Sequence, residues 1–263
     1  MSRIDDIFST LRADNRRALM PFITGGHPDV DTTTALLQQM GSAGANIVEV
    51  GIPFSDPIAD GPVIAGAMHR VLESGTTVND ILDAVSAARA STDMGFIAMV
   101  SESIVHKRGS GAFFKTLADA GFDGIIVPDL DPTCAAPLLD VADDLDLSFS
   151  LLVAPTTPIE RLQSIADNSR GFIYLLARAG ITGASDDLPD LHERVAAMRT
   201  VTDLPIAAGF GIGTPEQVAG ATTACDAAIV GSALVRTMDA ADDPVREAIS
   251  FVESLALGLP EPA

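Results

Sequence analysis

The sequence predicts one (β/α)8 barrel domain over residues 1–263, with an extra N-terminal helix. Three observations lead there. Eight short apolar runs recur along the chain. Longer stretches of helical periodicity separate them. The runs are nearly continuous in apolar character, as strands buried on both faces of a parallel sheet are. One core suffices at this length, since α/β barrels often reach roughly 200–250 residues as a single domain. An open doubly wound sheet is the alternative. It normally announces a G-x-G-x-x-G turn after its first strand, and Thr24-Gly25-Gly26-His27 lacks that form.

In chain order, Ser2–Ala13 reads as the extra helix and Ala18–Thr24 as the first strand. Asn46–Gly51 is the second; Gly44 before it follows Ala43, as a helix-stop glycine should. In Val78–Ala88, the residues Val78, Ile81, Leu82, Val85 and Ala88 share one helical face. Phe96–Val100 is the third strand, and Gly124–Val127 the fourth, behind a second helix-stop glycine, Gly121. Leu147–Val153 is the fifth, followed by Thr157-Pro158-Ile159-Glu160, which offers a cap, a proline at the first helical position and an acid. Phe172–Leu176 is the sixth and Pro205–Ala208 the seventh, with a similar helix start at Thr214-Pro215-Glu216-Gln217. Ala227–Val230 is the eighth, and the tail Gly258–Ala263, with two prolines, is expected to fray.

Composition excludes several functions. Sixteen Lys and Arg against 36 Asp and Glu give a net charge of −20, with no basic run. Nucleic acid and anionic membranes are therefore poor partners, because phosphate arrays need clustered cations. The N-terminus carries acid where a signal peptide needs an apolar stretch, and no apolar run approaches the roughly 18 residues of a membrane span. Cys134 and Cys225 lack metal-like spacing with His and are expected to be buried, unpaired and inert, which suits a cytoplasmic protein. His27, His69, His106 and His192 form no H-x-x-x-H pair, so no metal site is expected. The only lysines are Lys107, read in a polar loop, and Lys115, read in a helix. A Schiff-base aldolase needs a desolvated lysine, so that mechanism is not expected.

Barrel active sites form at the C-terminal ends of strands. There Glu49 stands inside the apolar Ile47-Val48-Glu49-Val50. A buried carboxyl is either paired structurally or poised as an acid or base near neutrality. Its place just before the strand end at Gly51 favours the second reading. The proline-rich loop Gly51–Pro62 carries Asp56 and Asp60, and Asp60 is the candidate second carboxylate. Gly209-Phe210-Gly211-Ile212-Gly213 after the seventh strand and Gly231-Ser232 after the eighth suit a phosphate cradle. Glycines let amides approach an anion closely, and a helix starting at Ser232 adds its positive end. The loop Tyr174–Gly183 and the stretch beyond it have lid composition, with Arg178 a rim or phosphate residue.

Taken together, Val48-Glu49-Val50-Gly51-Ile52-Pro53-Phe54-Ser55-Asp56-Pro57 and Ala59-Asp60-Gly61-Pro62 resemble the signature of the tryptophan synthase alpha chain family. Pro21-Phe22-Ile23-Thr24, Ile126-Val127-Pro128-Asp129-Leu130, the Tyr174–Gly183 loop, Gly209-Phe210-Gly211-Ile212 and Gly231-Ser232 agree in order, over about residues 3–255. The resemblance implies retro-aldol cleavage of indole-3-glycerol phosphate to indole and glyceraldehyde 3-phosphate, without metal or Schiff base. It implies that Glu49 protonates indole C3 and takes the glycerol hydroxyl proton, and that Asp60 bonds the indole N–H. Phe22, Met99, Ile126, Tyr174 and Phe210 would bind the substrate, and Thr182 would close the lid near Asp60. Gly183, Gly211, Gly231 and Ser232 would hold the phosphate, while Pro53 and Asp56 would face a beta chain. An αββα complex is implied, with pyridoxal phosphate (PLP) in the beta chain and no cofactor in this one. A free-standing lyase and a non-catalytic phosphate-binding regulator are the alternatives. One stretch departs: many members carry Tyr and Asn after the third strand, and here it reads Ser101-Glu102-Ser103-Ile104-Val105-His106.

Overall fold

A computed structural model describes residues 2–57, 60–176, 191–209 and 211–260. Helix α1 (Arg3–Ala13) starts at a reciprocal cap: Ser2 Oγ accepts from the Asp5 N–H, and Asp5 accepts from the Ser2 N–H. Strand β1 (Ala18–Thr24) leads to α2 (Val30–Gln39), and β2 (Ile47–Gly51) leads to α3 (Pro62–Glu73) and α4 (Val78–Arg89). β3 (Gly95–Met99) is followed by α5 (Glu102–Arg108) and α6 (Ser110–Ala120), and β4 (Gly124–Ile126) by α7 (Ala136–Asp144). Then come β5 (Ser148–Ser150), β6 (Leu152–Val153), α8 (Ile159–Asp167), β7 (Ile173–Leu176) and α9 (His192–Arg199). β8 (Ile206–Gly209), α10 (Pro215–Thr222), β9 (Ala227–Val230), α11 (Ser232–Asp239) and α12 (Pro244–Ala256) complete the described elements.

The strands are parallel, in the order β5-β4-β3-β2-β1-β9-β8-β7-β6. The two ends of that order, β5 and β6, are successive pieces of the fifth predicted strand, parted only at Leu151. The first piece pairs with β4 and the second with β7, and the Tyr174 N–H bonds the Leu151 carbonyl between them. The sheet thus closes into the barrel, and the break reflects the stagger that tilted barrel strands require.

Two apolar layers result. Outward strand residues such as Leu19, Val48, Phe96 and Ile125 pack under the ring of helices. Inward residues such as Met20, Ile47, Ile97, Phe172 and Ile229 meet Ile4, Phe8 and Leu11 of α1, which stoppers the N-terminal end of the barrel. At the opposite end, Phe22 packs with Ile64 and Met68 of α3 and Val235 of α11. Where these two helices end, the buried His27 Nε2 lies 2.8 Å from Asp239. Arg70 of α3 donates to the same carboxylate at 2.8 Å.

Several local expectations are corrected. Thr157 does not cap α8; its Oγ1 accepts from the Ala154 N–H behind it, and Pro158 takes the cap position. Lys107 lies in the last turn of α5, not in a loop. Cys134 is exposed, because it ends a short 3-10 turn on the surface, whereas Cys225 is buried and its thiol is pushed up to about 12. Gly258 is not frayed, since it packs directly on Pro215, and Leu259 is partly buried against the core.

Candidate active site

Glu49 sits in the middle of β2, between Phe22 of β1 and Ile97 of β3 in register. It is 0% exposed, and neither carboxyl oxygen has a hydrogen-bond partner among the described residues. A buried polar group left so is rare in folded proteins and calls for a reason. Burial pushes Glu49 up to about 8. Near neutral pH it therefore holds its proton, ready to give and retake it.

Asp60 is set by the start of α3. Its N–H bonds the Pro57 carbonyl, and Gly61 then caps the helix, with Pro62 at the first helical position. Asp60 is half-buried in the mouth. Burial first, and the charge of Asp129 second, push it up to about 6. At neutral pH the two carboxyls thus occupy opposite protonation states, as an acid and base pair must.

Tyr174 is buried beside them; desolvation first, then the charges of Glu49 and Asp60, push its phenol well above the ordinary range. Two glycines make room for the aromatic rings. A Cβ at Gly209 would overlap the Tyr174 hydroxyl, and one at Gly51 would lie 2.5 Å from Phe22 Cζ. Met99 is half-buried beside Ile126, its fully buried register partner. A cleft at the mouth is lined by Phe54, Asp60 and Met68 together with Met99, Ser101 and Asp129.

The glycine loops converge as well. Gly211 has φ +84°, a left-handed conformation that favours glycine. Gly213 donates its N–H to Gln217 Oε1 at 2.8 Å, and a Cβ there would lie 2.9 Å from the Ala233 Cβ. The loop after β8 therefore runs against the first turn of α11. Gly231 precedes that turn, and no side chain caps the helix. The free N–H groups of a helix start, with its positive dipole end, form an anion site. A Cβ at Gly231 would lie 3.6 Å from the Phe22 Cβ, so this start lies beside Phe22, the register neighbour of Glu49.

The model of the family described as "Tryptophan synthase alpha chain" matches residues 8–258. The chain belongs to the tryptophan synthase alpha chain family. The alpha subunit of this family cleaves indole-3-glycerol phosphate. The chain is 38% identical over 262 residues to the alpha chain of Thermosynechococcus vestitus, covering 99% of this chain and 98% of that protein. The alpha chain of Trichodesmium erythraeum is 42% identical over 241 residues, covering 90% and 91%. Among solved structures, Mycobacterium tuberculosis tryptophan synthase superposes with a TM-score of 0.90 at 35% identity, covering 98% of each chain. The alpha subunit from Legionella pneumophila gives 0.90 at 33% identity, also over 98% of each.

Within this family member, Glu49, Asp60, Phe22, Met99, Ile126, Tyr174, Gly231 and Ser232 come together at the mouth, and the loop that carries Gly211 meets α11 through Gly213. Thr182, Gly183 and Phe210, with Arg178, lie outside the described residues. Of the two expected interface residues, Asp56 is exposed, but Pro53 is buried and offers a partner little surface. Sequence reasoning gave no role to Asp129 or Met68, which line the cleft, and read Ser101, which also lines it, only as part of a loop that would dock the beta chain. Asp129 had one usable signal: it follows the end of β4, where barrel loops carry function.

Proposed function

We propose that this chain cleaves indole-3-glycerol phosphate by a retro-aldol reaction, as the alpha subunit of a complex with a beta chain, and that it works as one domain. The observation that carries the reading is Glu49: a wholly buried carboxyl with no partner among the described residues, whose register neighbour Phe22 borders a helix start suited to phosphate. In this reading Glu49 gives its proton to indole C3 while Asp60 accepts the hydrogen bond of the indole N–H. The emptied Glu49 carboxylate takes the glycerol hydroxyl proton as the C3–glycerol bond breaks. Both protons are accounted for, and Glu49 ends as it began. Phe22, Met99, Ile126 and Tyr174 supply the apolar walls for indole. The amides at Gly211, Gly231 and Ser232 hold the phosphate, with Gly183 joining them. Thr182 closes over the site, and Phe210 lines it.

PLP belongs to the beta chain in this reading. The two lysines here do not fit it: Lys107 and Lys115 are exposed on α5 and α6, and Lys115 is paired with Asp119. The complex is an αββα tetramer, with Asp56 at its interface and Pro53 shaping the loop behind. No described helix is long and apolar enough to cross a membrane, and we place the protein in the cytoplasm.

Indole release, measured with and without a beta chain, tests the proposal. Glu49→Gln should lower cleavage at least about 10²-fold while product binding persists. Near-normal indole release by that variant would reject Glu49 as the acid. A wild-type rate indifferent to added beta chain would point to a free-standing lyase.

A further inference from the structure

We propose that Asp129 is a positioning residue for Asp60: an anion anchored in the same cleft, whose charge the Asp60 carboxyl meets as it receives the substrate N–H. The role of Asp60 in this statement rests on the lyase reading above; the coupling between the two carboxyls does not.

Asp129 lies three residues beyond β4, in the connection toward α7. Its two oxygens are tied to the neighbouring connection. Ser101 Oγ donates to Oδ2 at 2.7 Å, and the Glu102 N–H, at the first residue of α5, donates to Oδ1 at 2.8 Å. Ser101 is itself the cap of α5 and accepts from the Ser103 N–H. Asp129 therefore carries its charge at a fixed point in the cleft that Asp60 also lines. No lysine or arginine is among the described residues lining that cleft. Among the described residues, the titratable groups near Asp60 are Asp56 from its own loop and Asp129 from the connection after β4, which line the same cleft, and Tyr174, which feels the charges of both Asp60 and Glu49. Among the described residues, the charge of Asp129 adds to burial in pushing Asp60 up.

A fixed anion opposite a second carboxylate disfavours the charged form of that carboxylate. Asp60 thereby becomes a better proton acceptor while remaining largely ionised at neutral pH. That is what a base needs when indole tautomerises and its N–H grows acidic. The Ser101–His106 stretch supplies both donors that hold Asp129.

The test is carbon-13 NMR titration of the Asp60 carboxyl in wild type and Asp129→Asn, alongside the pH profile of kcat/KM. The expected result is that the Asp60 titration and the acid limb both move to lower pH, by roughly half a unit, the scale of one screened charge within a Debye length. Asp129→Glu should return both toward wild type, a rescue that a merely structural role would not give. Asp129→Ser serves as the neutral variant if Asp129→Asn folds poorly. An unmoved Asp60 titration in a folded neutral variant overturns the proposal. A moved titration with an unmoved acid limb upholds the coupling and instead removes Asp60 from the chemistry.

Discussion

Glu49 and Asp60 set the pH behaviour. The acid is pushed up to about 8 and the base to about 6. Cleavage should therefore follow a bell, falling below about pH 6 as Asp60 takes a proton and above about pH 8 as Glu49 loses one. A kcat/KM profile checks it, and the two limbs belong to the coupled pair. Stability moves too. Glu49 binds its proton more tightly folded than unfolded, from an ordinary value of 4.5. Its contribution is therefore full below about pH 4.5 and is lost as pH rises through about 8. Relative to wild type, Glu49→Gln should gain melting temperature steadily from pH 5 to pH 8, and a pH-independent difference would contradict the burial account. Glu49 was legible in the sequence because a charge inside an apolar strand is conspicuous. Asp129 was not, because an acid in a loop is ordinary, and its partners lie 27 and 28 residues away.

At the scale of elements, the strands were legible because burial on both faces leaves an unbroken apolar run. Their partners decide the ends, and sequence does not show partners: the fifth run is cut at Leu151 by the change of neighbour from β4 to β7. Thr157 reads as a helix cap but turns back to the Ala154 N–H, which claims its oxygen first. The histidines carried no readable pattern, yet His27 joins a clasp. Its imidazole and the Arg70 guanidinium converge on Asp239, tying the far end of α3 to that of α11. The near ends of these helices hold Asp60 and Ser232. Burial keeps His27 from charging readily, so its ring depends on the carboxylate as an acceptor. Asp239→Ala should cost about 1–2 kcal/mol in urea unfolding, the scale of a buried donor left unpaired, reduced by the partial exposure of Asp239. A loss within error would show the clasp to be ornamental.

For the whole molecule, the net charge of −20 is unpromising for an anionic ligand. The proposed cradle relies on backbone amides and a helix start, which are uncharged. Raising salt from 50 to 200 mM should then leave phosphate-ligand affinity unchanged or slightly stronger, since screening weakens repulsion by the acidic surface. A steep loss of affinity with salt would reveal a cationic site. The closed barrel was legible in the eight alternations. The mouth was legible in part, because barrel chemistry gathers at strand ends. The contacts between separate loops that finish the mouth had to be seen in space.

The stopper formed by Ile4, Phe8 and Leu11 reaches further than packing. With these side chains packed into the lower end of the barrel and Glu49 fully buried, hydrogen exchange between that carboxyl and solvent is expected to pass through the mouth. A bound molecule in the mouth stops this traffic. Enzyme loaded with substrate in ordinary water and flung into deuterium oxide should release its first indole with protium at C3 and deuterium only in later rounds. Mass spectrometry of the quenched burst reads this isotopic memory, and deuterium in the very first product would mean that the barrel leaks.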